Sequence, residues 1–118
     1  MAESKLRNLS VEFSIKIIKL CENIKGHYSL TNQLERSGTS IGANIHEANY
    51  SHSKNDFISK SQIALKECYE TEHWLELFVK SDLLDKDKAK EIYNECGTIR
   101  KMLISSINTA KTNTEKQK

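Results

Sequence analysis

Residues 53–81, SKNDFISKSQIALKECYETEHWLELFVKS, contain the most regular pattern of this chain. Small and apolar side chains recur there at alternating steps of four and three residues, at Phe57, Ser61, Ala64, Cys68, Thr71, Leu75 and Phe78. Such steps place side chains on one face of an α-helix, and their sum is the seven-residue repeat of packed helices. Ser53 is a favourable N-cap and Asp56 an acid in the first turn. The stretch predicts a long helix that buries one face against other helices.

The same helical period recurs in three further segments. The predicted helices span residues 4–25, 29–51, 53–81 and 85–111, with Gly26 closing the first and Asp85 capping the fourth, and a flexible tail covers 112–118. The 118 residues include no proline, so the usual helix breaker is missing. Connections this short make neighbouring helices antiparallel. The sequence therefore predicts a single all-α domain, an antiparallel up-down-up-down four-helix bundle.

The predicted second helix combines small residues with a polar strip. Gly38 and Gly42 lie one turn apart and permit close approach of another helix, although each lowers helix propensity. Beside them runs a strip expected to form a polar network with the third helix, made of Arg36, Ser40, Asn44 and Glu47 with Glu67 and Glu70. An ordinary solvated helix face is the alternative interpretation of this strip.

Two specific contacts are expected in the network. Arg36 would pair with Glu67 or Glu70, because a charge between helices must be paired to be tolerated. Asn44 would bond to Ser61 or Ser37. Contacts of this kind fix the register of two helices and perform no chemistry.

Apolar residues extend beyond the faces that four helices need to cover one another. The residues on this second face, and the predicted oligomer interface, are Ile15, Ile18, Trp74 and Leu77. A helix that is apolar on two sides is usually buried on two sides, and tryptophan is enriched at interface hot spots. Self-association is the favoured interpretation, and a wide but purely internal core is the alternative.

Motifs for catalysis or metal binding are incomplete. Glu70 and His73 form one Glu-x-x-His motif, whereas paired-metal bundles need two. His46-Glu47 resembles the start of HExxH, but Tyr50 stands where the second histidine must be. The three cysteines are widely spaced and are expected to be buried thiols. No enzyme activity, metal or cofactor is therefore predicted.

Two segments resemble the 23S ribosomal RNA intervening-sequence proteins, which are small bacterial four-helix bundles. Residues 34–48, LERSGTSIGANIHEA, are similar to the family pattern L-x-R-A-x-x-S-I-x-x-N-I-A-E-G, with Arg36, Asn44 and Glu47 at matching positions. Residues 56–75, DFISKSQIALKECYETEHWL, resemble the second block of the family. The resemblance covers roughly residues 6–110. The resemblance implies a ring, commonly a homopentamer, and a nucleic-acid partner. The related accessory protein of diversity-generating retroelements resembles the same bundle and works with RNA.

Charge alone does not identify a nucleic-acid binder, because the net charge is +2. Residues 83–118 form the more basic part, with eight basic and five acidic side chains. Candidate contacts to RNA or DNA phosphates are Lys5, Arg7, Lys16, Lys19, Arg100, Lys101 and Lys111. A protein scaffold without nucleic-acid contact remains the alternative. No apolar run approaches the roughly 20 residues of a membrane span, and no secretion signal is evident, so the prediction is cytoplasmic.

Overall fold

The chain folds into four α-helices, as the spacing of its apolar residues predicts. A computed structural model describes residues 2–116 of the chain, and the side chains of residues 5–113. Its helices are α1 (Ala2–Glu22), α2 (Tyr28–Asn49), α3 (Lys54–Lys80) and α4 (Lys86–Lys116). Neighbouring helices run antiparallel, and α1 and α3 lie diagonally opposite, as do α2 and α4. The result is an up-down-up-down bundle with principal extents of 52 × 22 × 21 Å.

The last helix is longer than the sequence predicts. The predicted tail begins at residue 112, but α4 continues through Lys116, which corrects the prediction for residues 112–116. Once a helix is formed, each further residue adds one backbone hydrogen bond, and neither glycine nor proline interrupts this segment. The hydroxyl of Thr112 also bonds to the carbonyl of Asn108 at 2.9 Å. Residues 117 and 118 lie outside the described residues.

The seven-residue repeat of α3 faces the core. Six of its seven members are buried, and Phe57 at the start of the helix is half-buried. Opposite them lie the buried stripes of the other helices, which include Phe13, Ile17, Leu34, Ile41, Ile99 and Leu103. Burying each such side chain contributes about 1.5–3 kcal/mol, so this common apolar centre is the main stabilising feature of the bundle.

Short polar contacts set the helix boundaries. The Asp56 amide donates to Ser53 Oγ at 3.1 Å, and the Lys88 amide donates to Asp85 Oδ2 at 3.1 Å, which confirms both predicted N-caps. Helix α3 ends differently, because Asp82 adopts a left-handed conformation with φ of 59°. The Leu83 amide then donates to the Phe78 carbonyl at 2.9 Å, and the Leu83 side chain packs on the core. This is the hydrogen-bonding pattern of a helix-closing Schellman motif, here without glycine.

Helices α1 and α2 approach closely at the predicted small residues. A Cβ atom on Gly38 would lie 2.8 Å from Cγ2 and 2.9 Å from Cγ1 of Ile17, a fully buried residue. One turn later, Gly42 lies against the hydroxyls of Ser10 and Ser14. The two glycines therefore let α1 approach the α2 backbone, which offsets their lower helix propensity.

Replacing Gly38 by alanine should destabilise the bundle. The new methyl group would overlap Ile17, whose branched side chain has few alternative rotamers in a helix. We expect a net loss of about 1–3 kcal/mol in the free energy of unfolding. Gly97→Ala is the matched control, because its Cβ would meet only Arg100 Nη2 at 3.4 Å and should stabilise α4 by up to about 1 kcal/mol. Urea titration of both variants measures the difference, and equal stabilisation by both would contradict the close packing.

Candidate nucleic-acid interface

All four helices contribute to each end of the bundle. At one end the first turns of α1 and α3 meet the last turn of α2 and the C-terminal part of α4, and one crevice there is lined by Leu6, Asn49, Phe57 and Ser106, among others. The antiparallel order thus brings together residues that are far apart in sequence. Lysines and arginines from the beginning of α1 and from the C-terminal part of α4 therefore lie toward the same end of the bundle.

Contacts between helices divide the bundle at a common level. The level is marked by the contacting pairs Ile17–Gly38, Ser37–Thr71 and Cys68–Cys96. Residues 5–16, 41–66 and 98–113 lie on one side, which we call the basic half. Residues 17–40 and 67–97 lie on the other side, which we call the acidic half.

Charge is strongly segregated between these halves. The basic half has nine basic and three acidic side chains, a net charge of +6. The acidic half has seven basic and eleven acidic side chains, a net charge of −4. The basic set comprises Lys5, Arg7, Lys16, Lys54, Lys60, Lys66, Arg100, Lys101 and Lys111. A rod with this charge distribution attracts a polyanion to one half, although its net charge is small.

Four of the predicted phosphate contacts are exposed side chains in the basic half. Lys5, Arg7, Lys101 and Lys111 are exposed, and none forms an ion pair with another described side chain. They extend from α1 and α4, which pack side by side. Within the described part of the chain, no carboxylate competes with a ligand for their ammonium and guanidinium groups.

The remaining predicted contacts are in other environments. Lys16 pairs with Glu95 across α1 and α4, and this hydrogen bond raises the pKa of Lys16. Lys19 is exposed but belongs to the acidic half. Arg100 donates from Nε to Glu72 Oε2 at 3.0 Å and lies 5.7 Å from the centre of the Tyr69 ring. Because the Glu72 side chain is only 9% exposed, Arg100 neutralises a buried carboxylate and is not free for a phosphate.

Residues that sequence reasoning missed complete the basic half. Lys54 is exposed at the start of α3, four residues beyond Tyr50 at the end of α2. Tyr50 is 73% exposed, and its ring lies 4.9 Å from that of His46. The predicted antiparallel order could have identified these residues, provided that the charges of all four helices were first assigned to the two ends of the bundle.

The predicted Arg36 contact forms with both carboxylates. Arg36 Nη1 donates to Glu67 at 3.3 Å, and Nη2 donates to Glu70, which also accepts from Trp74 Nε1 at 3.3 Å. The Arg36 side chain is 47% exposed, so this network lies on the surface along α2 and α3 and is not enclosed between them. Solvent screening limits such a pair to about 1 kcal/mol or less.

Asn44 has a different partner from the predicted ones. Its amide donates to the Ser40 carbonyl in its own helix at 2.9 Å. Glu47 instead contacts Lys60 of α3 at 3.5 Å. The buried cross-link between α2 and α3 is the bond from Thr71 to Ser37, at 2.9 Å, because these are the hydroxyls on the facing buried stripes.

The predicted interface residues fall on two different faces of the bundle. Ile15 is 47% and Ile18 40% exposed, and both continue a stripe on α1 that includes Val11. Trp74 and Leu77 on α3 are partly buried against the core. Because α1 and α3 lie diagonally opposite, the α1 stripe cannot pack against Trp74 and Leu77 of the same bundle.

Two of the buried cysteines, Cys21 and Cys96, do not provide a nucleophile at neutral pH. Burial raises the pKa of Cys21 to about 12. A hydrogen bond with Cys68 and burial raise the pKa of Cys96 well above its usual range. Both groups therefore stay as neutral thiols, whereas the thiolate is the reactive form.

The apolar groove between α3 and α4 has one carboxylate near its rim, Glu76, which accepts from Lys80 at 2.8 Å. This bond lowers the pKa of Glu76 and raises that of Lys80, so both stay charged at neutral pH.

Among the described residues, no group of three or more His, Cys, Asp or Glu side chains could hold a metal ion. In the same part of the chain, no helix is long and apolar enough to cross a bilayer.

The fold and this surface define a class of protein, a small helical bundle with a basic half and uncovered apolar faces. The family model described as 23S rRNA-intervening sequence protein matches residues 2–105, and the chain belongs to that family. A similar solved structure is that of a protein of unknown function from the S23 ribosomal protein family of Bacteroides thetaiotaomicron. The two chains share 40% identity with a TM-score of 0.86, over 92% of this chain and 99% of the other. No curated protein matches the sequence. Neither description names a catalytic activity.

Proposed function

We propose that the chain is a non-catalytic subunit of a pentameric ring that binds RNA or DNA through the basic half. The observation that carries the proposal is the segregation of charge, with nine basic and three acidic side chains in the basic half against seven basic and eleven acidic side chains in the acidic half. Phosphate contacts by lysine and arginine supply most sequence-independent affinity for nucleic acids. Lys5, Arg7, Lys101 and Lys111 suit this role, because they are exposed and form no ion pair with another described side chain.

The ring is supported by the positions of the apolar faces. A closed ring needs a head-to-tail interface, in which each subunit presents two different surfaces. The stripe on α1 and the Trp74–Leu77 surface on α3 are two such surfaces, on diagonal helices. A ring would also repeat the basic half several times on one body, and several weak patches raise the overall affinity.

The proposed binding is tested by titrating an RNA oligonucleotide of mixed sequence at two salt concentrations. If about five phosphates are neutralised, affinity for an unpaired strand should fall about 100-fold between roughly 50 and 200 mM salt. Absence of binding at the lower concentration would contradict the proposal. It would favour the scaffold alternative, for which the half-exposed Arg36 and Trp74 on one face are the supporting observation.

A further inference from the structure

We propose that the nucleic acid bound at the basic half is an unpaired strand, and that Tyr50 provides a stacking surface for one of its bases. This inference rests on the proposed function and specifies the ligand of the same site. It starts from an exposed aromatic ring in the basic half, the half that carries the net positive charge.

The Tyr50 ring is held at the surface without contributing to the core. It is 73% exposed, directly after the last turn of α2. The Tyr50 amide donates to the Glu47 carbonyl at 3.1 Å, which continues the helical pattern to this residue. The His46 ring lies one turn earlier, 4.9 Å away and tilted by 54°. His46 therefore contacts the Tyr50 ring and leaves much of it open to solvent.

Cations from three helices lie at the same end as this ring. Lys54 follows Tyr50 by four residues, at the start of α3. Lys5 and Arg7 flank Leu6 on α1, and Leu6 lines one crevice with Asn49, the residue before Tyr50. Lys101 and Lys111 belong to the same half on α4. A strand whose phosphates contact these groups would have its bases within reach of an exposed ring.

An exposed ring among cations distinguishes between unpaired and paired nucleic acids. In a duplex the base faces are covered by neighbouring base pairs, so a surface tyrosine gains little beyond the phosphate contacts. In an unpaired strand every base has a free aromatic face, and stacking on a protein ring is tolerant of sequence. The combination of positive charge and an exposed aromatic ring is the usual surface of single-strand binding proteins.

Tyr28 shows that exposure alone would not support the inference. It is also 73% exposed, but it lies at the start of α2, in the acidic half. Carboxylates dominate that half, so phosphates would be repelled there. Tyr28 is therefore the matched control for Tyr50, with the same residue type and exposure at the opposite end.

The test compares Tyr50→Ala and Tyr28→Ala in binding to an unpaired RNA and to a duplex of the same length. Tyr50→Ala should weaken binding of the unpaired strand about 5- to 150-fold, the effect of losing one stacked base. Duplex affinity and the salt dependence should change little, because no charge is lost. Tyr50→Trp should retain the affinity, and Tyr28→Ala should leave both ligands unaffected. Stacking uses base faces, so unpaired DNA should show the same loss in Tyr50→Ala.

The outcomes separate this inference from the proposed function. If the wild-type protein binds in a salt-dependent way but Tyr50→Ala binds the unpaired strand equally well, the stacking role is wrong and the phosphate contacts stand. An equal loss for duplex and unpaired strand would also overturn it. If the wild-type protein binds neither ligand at low salt, the proposed function itself fails. Thermal unfolding of each variant verifies that an exposed substitution has left the bundle intact.

Discussion

Replacing Lys5, Arg7, Lys101 and Lys111 together by glutamine should weaken binding of an unpaired RNA about 100- to 1,000-fold at roughly 0.1 M salt. Each lysine or arginine that neutralises a phosphate releases counterions and adds about 0.7 to the slope of log affinity against log salt concentration for a single strand. Loss of four contacts should therefore also reduce that slope by about 3. A fluorescence anisotropy titration at several salt concentrations measures both quantities.

A second quadruple variant controls for net charge. Four exposed lysines lie in the acidic half: Lys19, Lys25, Lys86 and Lys90. Their replacement by glutamine also removes four positive charges. The bundle is 52 Å long, several times the roughly 10 Å over which exposed charges interact at this salt concentration. Affinity should therefore change less than about threefold. Similar losses in the two variants would show that the location of the charges is irrelevant.

Arg100→Met should lower the free energy of unfolding by about 3 kcal/mol. The substitution keeps most of the apolar stem but leaves the carboxylate of Glu72, which is 9% exposed, without its partner. Removing one member of a buried ion pair is strongly destabilising because the other charge stays buried. Urea unfolding at one fixed protein concentration, followed by the fluorescence of the single tryptophan, measures this loss.

Two comparisons make the Arg100 prediction specific. Lys16→Met breaks the more exposed pair with Glu95 and should lower the free energy of unfolding much less than Arg100→Met does, because solvent screens this pair. Adding Glu72→Gln to Arg100→Met removes the unpaired charge and should recover part of the stability. The role assigned to Arg100 is wrong if its substitution is no more harmful than that of Lys16.

The architecture was largely predictable because it depends on periodic and local signals. The seven-residue repeat of α3 identified the buried face, and Ser53 and Asp85 identified two helix starts from their capping chemistry. Gly38 signalled the close approach of another helix, which proved to be α1 at Ile17. The end of α3 carried no such signal, since aspartate rather than glycine adopts the left-handed conformation at residue 82.

The site was less predictable because it depends on which helices face each other. The sequence indicates a free cation at Arg100. Its contact with Glu72 forms only because α3 and α4 pack with the turns that carry these two residues at the same level. Asn44 had a backbone acceptor in its own helix, and such a local partner competes effectively with distant hydroxyls. The net charges of +6 and −4 become apparent only when the four antiparallel helices are aligned side by side at a common level.

Light scattering with absorbance detection on the protein mixed with an unpaired RNA at low salt tests directly whether an assembly of bundles holds nucleic acid. A pentamer of the 13.5 kDa chain has a mass of about 68 kDa. We predict a single oligomeric peak that carries RNA absorbance at low salt and loses it at high salt while keeping its protein mass. A 13.5 kDa monomer that elutes apart from the RNA at low salt would contradict both the ring and the binding.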